Sequence, residues 1–174
     1  MLSAAAERVA LGIAGTGFIS AVHRQCAVRS AVVDLVAVAS ARGRATRDRV
    51  GALDPEVRLL TLPELLESPD IEAVLVCTRT RDHADHAVEV LRHGKHLLLE
   101  KPGAISLADH ARIQAAAAEH PELVVRVAYH RRHDERFREV QRLVAGGAIG
   151  RAFAVQLASR EDFPPSAEDG PAGG

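Results

Sequence analysis

Short apolar runs set apart by helix-sized segments constrain this 174-residue chain more than any other feature. Residues 9–14, 32–39, 73–77, 97–99 and 123–128 are each brief and dominated by aliphatic side chains. Runs of that kind read as strands buried on both faces of a parallel sheet. The segments between them carry helical patterns. Ala84, Ala87, Val88 and Leu91 fall at i, i+3, i+4 and i+7, with Asp82 placed to cap the start and Gly94 placed to end the helix. Ser106 followed by Asp109 resembles a capping box ahead of an Ala-rich stretch that runs to about His120, where Pro121 stops it. A weaker run at 57–60, followed by 62–67, supplies a further strand and a short helix. Alternation of strand and helix is the mark of a doubly wound α/β sheet with right-handed crossovers.

Beyond the last of these strands the pattern changes. Residues 134–145 are again helical in periodicity, Gly146 and Gly147 break the helix, and 151–159 alternate as a strand does. Residues 162–174 are rich in Pro, Gly and acids, which predicts disorder. No internal repeat is visible. A net charge of −1, with acids and bases interleaved, leaves no broad basic field, so nucleic acid and anionic membrane are excluded as main partners and a small molecule is expected.

Cys26 and Cys77 each lie in an apolar stretch and form no CxxC pair, so both are expected to be ordinary buried thiols, with neither a disulfide nor a metal site. A reducing compartment follows. The first ten residues carry Glu7 and Arg8, and no apolar stretch nears the ~18 residues that span a bilayer, which predicts a soluble, unexported, cytoplasmic protein. Basic residues are almost all arginine. Lys95 and Lys101 are the only lysines, which singles them out.

Gly15-Thr16-Gly17-Phe18-Ile19-Ser20 follows the first strand directly and opens a helix. A GxGxxG turn must stand there to bind a dinucleotide: Gly15 permits the tight bend, and Gly17 lets backbone approach a pyrophosphate lying on the helix N-terminus. Ser20 replaces the third glycine, a position that asks only for a small residue. The ribose-reading position, about 20 residues further on, is Ser40 rather than an acid. With Arg42 and Arg44 close behind, the site is suited to a 2′-phosphate, favouring NADP over NAD; the other reading makes these arginines a solvated helix start.

Leu97, Leu98 and Leu99 lead straight into Glu100-Lys101-Pro102. Proline cannot donate to a ladder, so the chain leaves the sheet there and Lys101 lands at the carboxyl end of its strand, where ligands of open α/β sheets bind. Shielded beside a nicotinamide, such a lysine would exchange a proton with a substrate hydroxyl during hydride transfer. An exposed loop lysine is the alternative.

These motifs resemble the Gfo/Idh/MocA family, that of glucose-fructose oxidoreductase and inositol 2-dehydrogenase. The likeness spans nearly the whole chain: Gly15 to Ser20, Thr78 to His83, Gly94-Lys95-His96 leading to Glu100-Lys101-Pro102, Arg131-Arg132-His133-Asp134, and Gly147-Ala148-Ile149-Gly150. Ser159-Arg160 and the proline-containing stretch after it favour the inositol dehydrogenase-like branch. The resemblance implies an NAD(P)-dependent dehydrogenase of a sugar or cyclitol hydroxyl. In it Thr78, Arg79 and His83 line the nicotinamide side, Glu100 and Lys101 hold cofactor and substrate with Lys101 catalytic, and Arg131 reaches substrate. Arg79 stands where the family usually has proline. A metal pair at His83 and His86 is not expected.

The same resemblance implies a dinucleotide-binding domain over 1–128 and the start of a second, sheet-containing domain over 129–174, the domain that commonly builds a homo-oligomer. The family's acid and histidine pair has no counterpart here. The chain as given is therefore expected to be truncated and inactive. A stand-alone module that binds or senses nucleotide without chemistry is the competing expectation.

Overall fold

A computed structural model describes residues 8–51 and 55–158. Its strands are β1 (Val9–Ala14), β2 (Val33–Ser40), β3 (Arg58–Thr61), β4 (Ala73–Val76), β5 (His96–Leu99) and β6 (Val125–Val127). The helices are α1 (Phe18–Val28), α2 (Arg47–Val50), α3 (Leu62–Glu67), α4 (His83–Arg92), α5 (Leu107–Glu119) and α6 (Glu135–Ala145). All strands pair in parallel in the order β3-β2-β1-β4-β5-β6. The doubly wound sheet expected from the alternation is thus present, and its winding reverses between β1 and β4. In open α/β sheets ligands bind outside the carboxyl ends of the strands at such a reversal.

The core lies along the middle of this sheet. Ile13, Ala14, Val74 and Val76 are fully buried, and α4 adds Ala87, Val90 and Leu91 to one face. Each fully buried valine, leucine or isoleucine side chain contributes about 1.5 to 3 kcal/mol. Gly12 is part of that packing, since a Cβ there would sit 3.0 Å from Leu65 Cδ1; α3 lies over β1 because Gly12 has no side chain.

Helix starts follow local chemistry, though not always at the expected residue. Thr61 and Glu64 form a complete capping box on α3, with Thr61 N–H donating to Glu64 Oε2 (2.7 Å) and Glu64 N–H to Thr61 Oγ1 (3.4 Å). Ser106 accepts from the Asp109 N–H at 3.0 Å and donates to the Asp109 carboxylate at 2.8 Å. Asp82 makes no side-chain cap; a short 3-10 turn, Thr80–Asp82, leads into α4 instead. Gly94, at φ +68°, follows α4 as expected. Lys95 is a structural residue, buried at the amino end of β5 with Nζ donating to the carbonyls of Ser68 (2.7 Å) and Ile71 (2.8 Å).

Two expectations are corrected. Cys77 is buried but Cys26 is exposed, because α1 buries the stripe Ser20, Arg24 and Ala27, and Cys26 falls off it. Residues 151–158 form no strand. Alternation makes a strand only where a neighbour answers its backbone, and Phe153, Val155 and Leu157 stand exposed instead.

The chain divides into two compact units, Met1–Tyr129 and His130–Gly174. Over its described residues the second unit holds a 3-10 turn (His130–His133) and α6, which Asp134 caps by accepting from the N–H groups of Arg136 (2.9 Å) and Phe137 (3.3 Å). Expectations placed on residues 1–7, on Ser159 and Arg160, and on 162–174 lie outside the described residues. Among the described residues no helix is long and apolar enough to cross a membrane.

Candidate functional site

Three segments meet at the carboxyl ends of the central strands: the glycine turn after β1, residues 77–83 after β4, and residues 100–103 after β5. Backbone bonds extend the ladder into all three, from Gly15 N–H to the Ala39 carbonyl (2.8 Å), Cys77 N–H to Ala14 (2.8 Å) and Glu100 N–H to Val76 (2.9 Å). The three segments are therefore anchored to the ends of the central strands by backbone bonds.

Gly15 and Gly17 are glycines for different reasons. Gly15 has φ +130°, and a Cβ there would stand 2.4 Å from the Cys77 carbonyl oxygen, so the turn lies flush on the end of β4. Gly17 has an ordinary φ of −79° and caps α1 with no side chain, and no acid occupies that helix's first turn. A Cβ on Gly17 would meet nothing within 4 Å. Nothing inside the protein asks for glycine there. An anion resting on the helix N-terminus would.

Ser20 does more than fill the third glycine position. Its hydroxyl donates to the Gly15 carbonyl at 2.7 Å and accepts from Nη1 of Arg24 at 2.8 Å. Burial pulls the Arg24 guanidinium below its ordinary value. Neither residue's part was legible as function, since a serine and an arginine four apart on a helix are common. Beneath the turn, burial first and the Glu100 carboxylate second push the Cys77 thiol up to about 12, so it stays protonated.

Glu100 is buried and both of its oxygens are engaged, Oε1 by Nε2–H of His23 (2.8 Å) and Oε2 by the Lys101 N–H (2.9 Å). A hydrogen bond to a charged group contributes about 1.5 to 3 kcal/mol. His23 thus ties α1 to the end of β5, a link that nothing in the sequence announces. The Lys101 side chain is exposed and makes no hydrogen bond or ion pair among the described residues.

The β4 loop is braced by histidines. His83 is buried, with Nδ1 donating to the Pro102 carbonyl (2.8 Å) and Nε2 lying 3.3 Å from that of Thr78. The Thr78 hydroxyl is 2.8 Å from His86 Nδ1. Both rings are spent on protein groups, and among the described residues no cluster of three His, Cys, Asp or Glu is placed to hold a metal ion. Arg79, exposed, takes φ −68°, the value that a proline ring imposes, so the loop keeps a course open to proline.

Burial holds His86 below its ordinary 6.5, against opposing pulls from Asp82, Glu89 and Asp85. A histidine depressed by folding contributes stability fully present above 6.5 and lost as pH falls through its folded value. His86→Asn keeps an acceptor for Thr78 and removes the titration. The wild-type-minus-variant difference in Tm is expected to be level above pH 6.5 and to shrink below it; a level difference down to pH 5 would contradict this assignment.

At the end of β2 Ser40 is buried and its Oγ accepts the Arg42 N–H at 3.3 Å. The two arginines differ. Arg44 donates to the Leu59 carbonyl at 2.9 Å and pairs with Glu64, whereas the exposed Arg42 guanidinium has no partner among the described residues. Arg131 belongs to the second unit, with its guanidinium 5.2 Å above the Phe137 ring.

A family model described as an oxidoreductase family with an NAD-binding Rossmann fold matches residues 9–129. The chain is 28% identical over 155 residues to myo-inositol 2-dehydrogenase of Thermotoga maritima, covering 89% of this chain and 46% of that protein. It is 33% identical over 157 residues to inositol 2-dehydrogenase of Rhizobium meliloti, covering 90% and 47%. Its fold matches scyllo-inositol dehydrogenase from Lactobacillus casei with bound cofactor NAD(H) and scyllo-inositol, with TM-score 0.72, 24% identity, and coverage of 83% of this chain and 43% of that one. The chain spans about half the length of the curated relatives it matches.

Proposed function

This chain belongs to the Gfo/Idh/MocA oxidoreductase family, with its NAD-binding Rossmann fold, and from that premise we propose that it binds a nicotinamide dinucleotide as part of an inositol dehydrogenase-like enzyme acting on a cyclitol or sugar hydroxyl. The observation that carries the reading is Gly17, where a bare backbone faces open space at the uncapped start of α1. The residues present fit the cofactor. When bound, the nicotinamide supplies the carbon that takes up or gives the hydride. Gly15, Thr16, Gly17, Phe18 and Ile19 cradle the pyrophosphate, Thr78 and Arg79 face the nicotinamide side, and His83 holds their loop to Pro102. Glu100 keeps the Lys101 backbone in place through its Oε2. Lys101 then presents its ammonium to the substrate hydroxyl as proton carrier, and Arg131 is the candidate substrate contact. The named activities of the Thermotoga and Rhizobium relatives support a cyclitol substrate.

NADP is favoured over NAD. Arg44 is committed to Glu64, so the 2′-phosphate contact falls to Arg42. A charge-assisted contact contributes about 1.5 to 3 kcal/mol, or roughly one to two decades of affinity. Calorimetric titration is expected to give the tighter Kd for NADP, with Arg42→Ala removing the difference and Arg44→Ala leaving it. Tighter binding of NAD would refute the preference, and no binding of either cofactor would refute the function.

A further inference from the structure

The face that α1 turns to the sheet carries Ser20, Arg24 and Ala27, where a buried helix stripe is ordinarily apolar. Arg24 is only 5% exposed. A buried guanidinium is costly unless its N–H groups are answered, and this one is answered at two distant points. Nη1 donates to Ser20 Oγ at 2.8 Å, and Nη2 donates to the Val50 carbonyl at 3.2 Å. Ser20 passes the connection on to the Gly15 carbonyl at 2.7 Å.

The chain of bonds from Gly15 to Val50 therefore joins the bend of the phosphate turn to the end of α2, the helix that follows Ser40, Arg42 and Arg44. No carboxylate among the described residues pairs with Arg24, and the neighbouring Cys77 is a neutral thiol. Its positive charge has no hydrogen-bonded counter-ion and stands behind a turn suited to anions, where a low local dielectric makes it felt further than it would be in water.

We propose that Ser20 and Arg24 form a cofactor-positioning relay, one that takes the place of the third glycine, fixes the phosphate turn against the ribose-side segment, and adds a buried positive charge to the dinucleotide site. The proposal rests on the dinucleotide reading above. It also makes a counter-intuitive statement about Ser20. If serine is there merely as a small residue, Ser20→Gly restores the common pattern and binds as tightly as wild type or better. If the relay operates, the same change weakens binding.

The test uses the full chain, which lacks tryptophan, so that binding is read from the emission of NADH or NADPH itself, well below the melting temperature, with Tm measured in parallel. Ser20→Gly and Arg24→Met are each expected to raise Kd at least tenfold. Arg24→Lys, which keeps the charge, should recover part of the loss. A merely structural role would lower Tm and leave the Kd of the folded protein unmoved. Either variant, folded and binding within twofold of wild type, overturns the relay; should Arg24→Met fail to fold, Ser20→Gly decides by the same criterion. Wild type that binds no dinucleotide at millimolar concentration overturns the dinucleotide reading itself, and the relay with it.

Discussion

Gly17→Val is expected to leave a folded chain that no longer binds dinucleotide, while Gly15→Ala is expected to lose the fold. The two glycines are two residues apart and differ in what surrounds them. At Gly17 the backbone has φ −79°, open to any residue, and an added Cβ meets no protein atom. Valine is a poorer N-cap than glycine, a cost of about 1 kcal/mol that a domain stable by about 5 to 15 kcal/mol survives. Its branches would fill the space in which a pyrophosphate must touch the backbone, and a loss of a hundredfold or more, about 2.7 kcal/mol, is expected. Gly15 is different. Its φ of +130° strains any other residue, and a Cβ would stand 2.4 Å from the Cys77 carbonyl oxygen and 2.8 Å from its carbon. Strain of about 1 to 3 kcal/mol is joined by a clash with backbone that cannot rotate away. Circular dichroism melts and a cofactor titration check both halves. Undiminished affinity in a folded Gly17→Val would remove the site from this turn, and a normally folded Gly15→Ala would mean that the turn does not lie on β4 as described.

How far the sequence led depended on the range of each interaction. The strands were legible because burial on both faces writes itself into consecutive residues, and even the weak run before Leu62 proved to be β3, shifted by one residue to Arg58–Thr61. The Thr61-to-Glu64 capping box is equally legible, since Thr-x-x-Glu is a local pattern of the same kind as Ser106 with Asp109. Asp82 failed as a cap because the 3-10 turn of Thr80–Asp82 already starts the helix. The glycine turn and the position of Lys101 followed from strand ends.

What escaped were contacts between residues far apart in the chain. His23 and Glu100 are separated by 77 positions, as their 2.8 Å bond shows, and a histidine inside a helix carries no mark of its partner. Arg42 and Arg44 look equivalent on paper, and only the fold reveals that Arg44 reaches Glu64. Lys95, singled out by the scarcity of lysine, ends as a buried fastening for the turn before β4. An apolar neighbourhood in sequence does not say which way a helix turns, and α1 turns a serine and an arginine inward and leaves Cys26 exposed.

Assayed alone with NAD or NADP and a panel of inositols and aldoses, this chain is expected to show no turnover above background, even where it binds cofactor. Hydride transfer needs the cofactor, a proton carrier and the substrate held together away from water. On the proposed reading the described residues supply the cradle and Lys101, but Lys101 is exposed, and the neighbouring Glu100 has both oxygens committed to His23 and to backbone. The relatives whose activity is named are about twice the length that this chain spans. Turnover in the range of roughly 1 to 10³ s⁻¹ typical of enzymes would overturn this, and would also dispose of a purely nucleotide-sensing role. The second unit makes a related physical demand. Phe153, Val155 and Leu157 are 94%, 89% and 67% exposed, in a segment whose alternation suits a strand that has no neighbour among the described residues. On α6, Phe137, Val140 and Val144 are exposed as well. Apolar side chains beside unpaired backbone invite association, so size-exclusion chromatography across a concentration series is expected to show elution moving to larger size as concentration rises. A monomer peak that stays put at high concentration would contradict that half of the expectation and leave the catalytic half to stand on the assay.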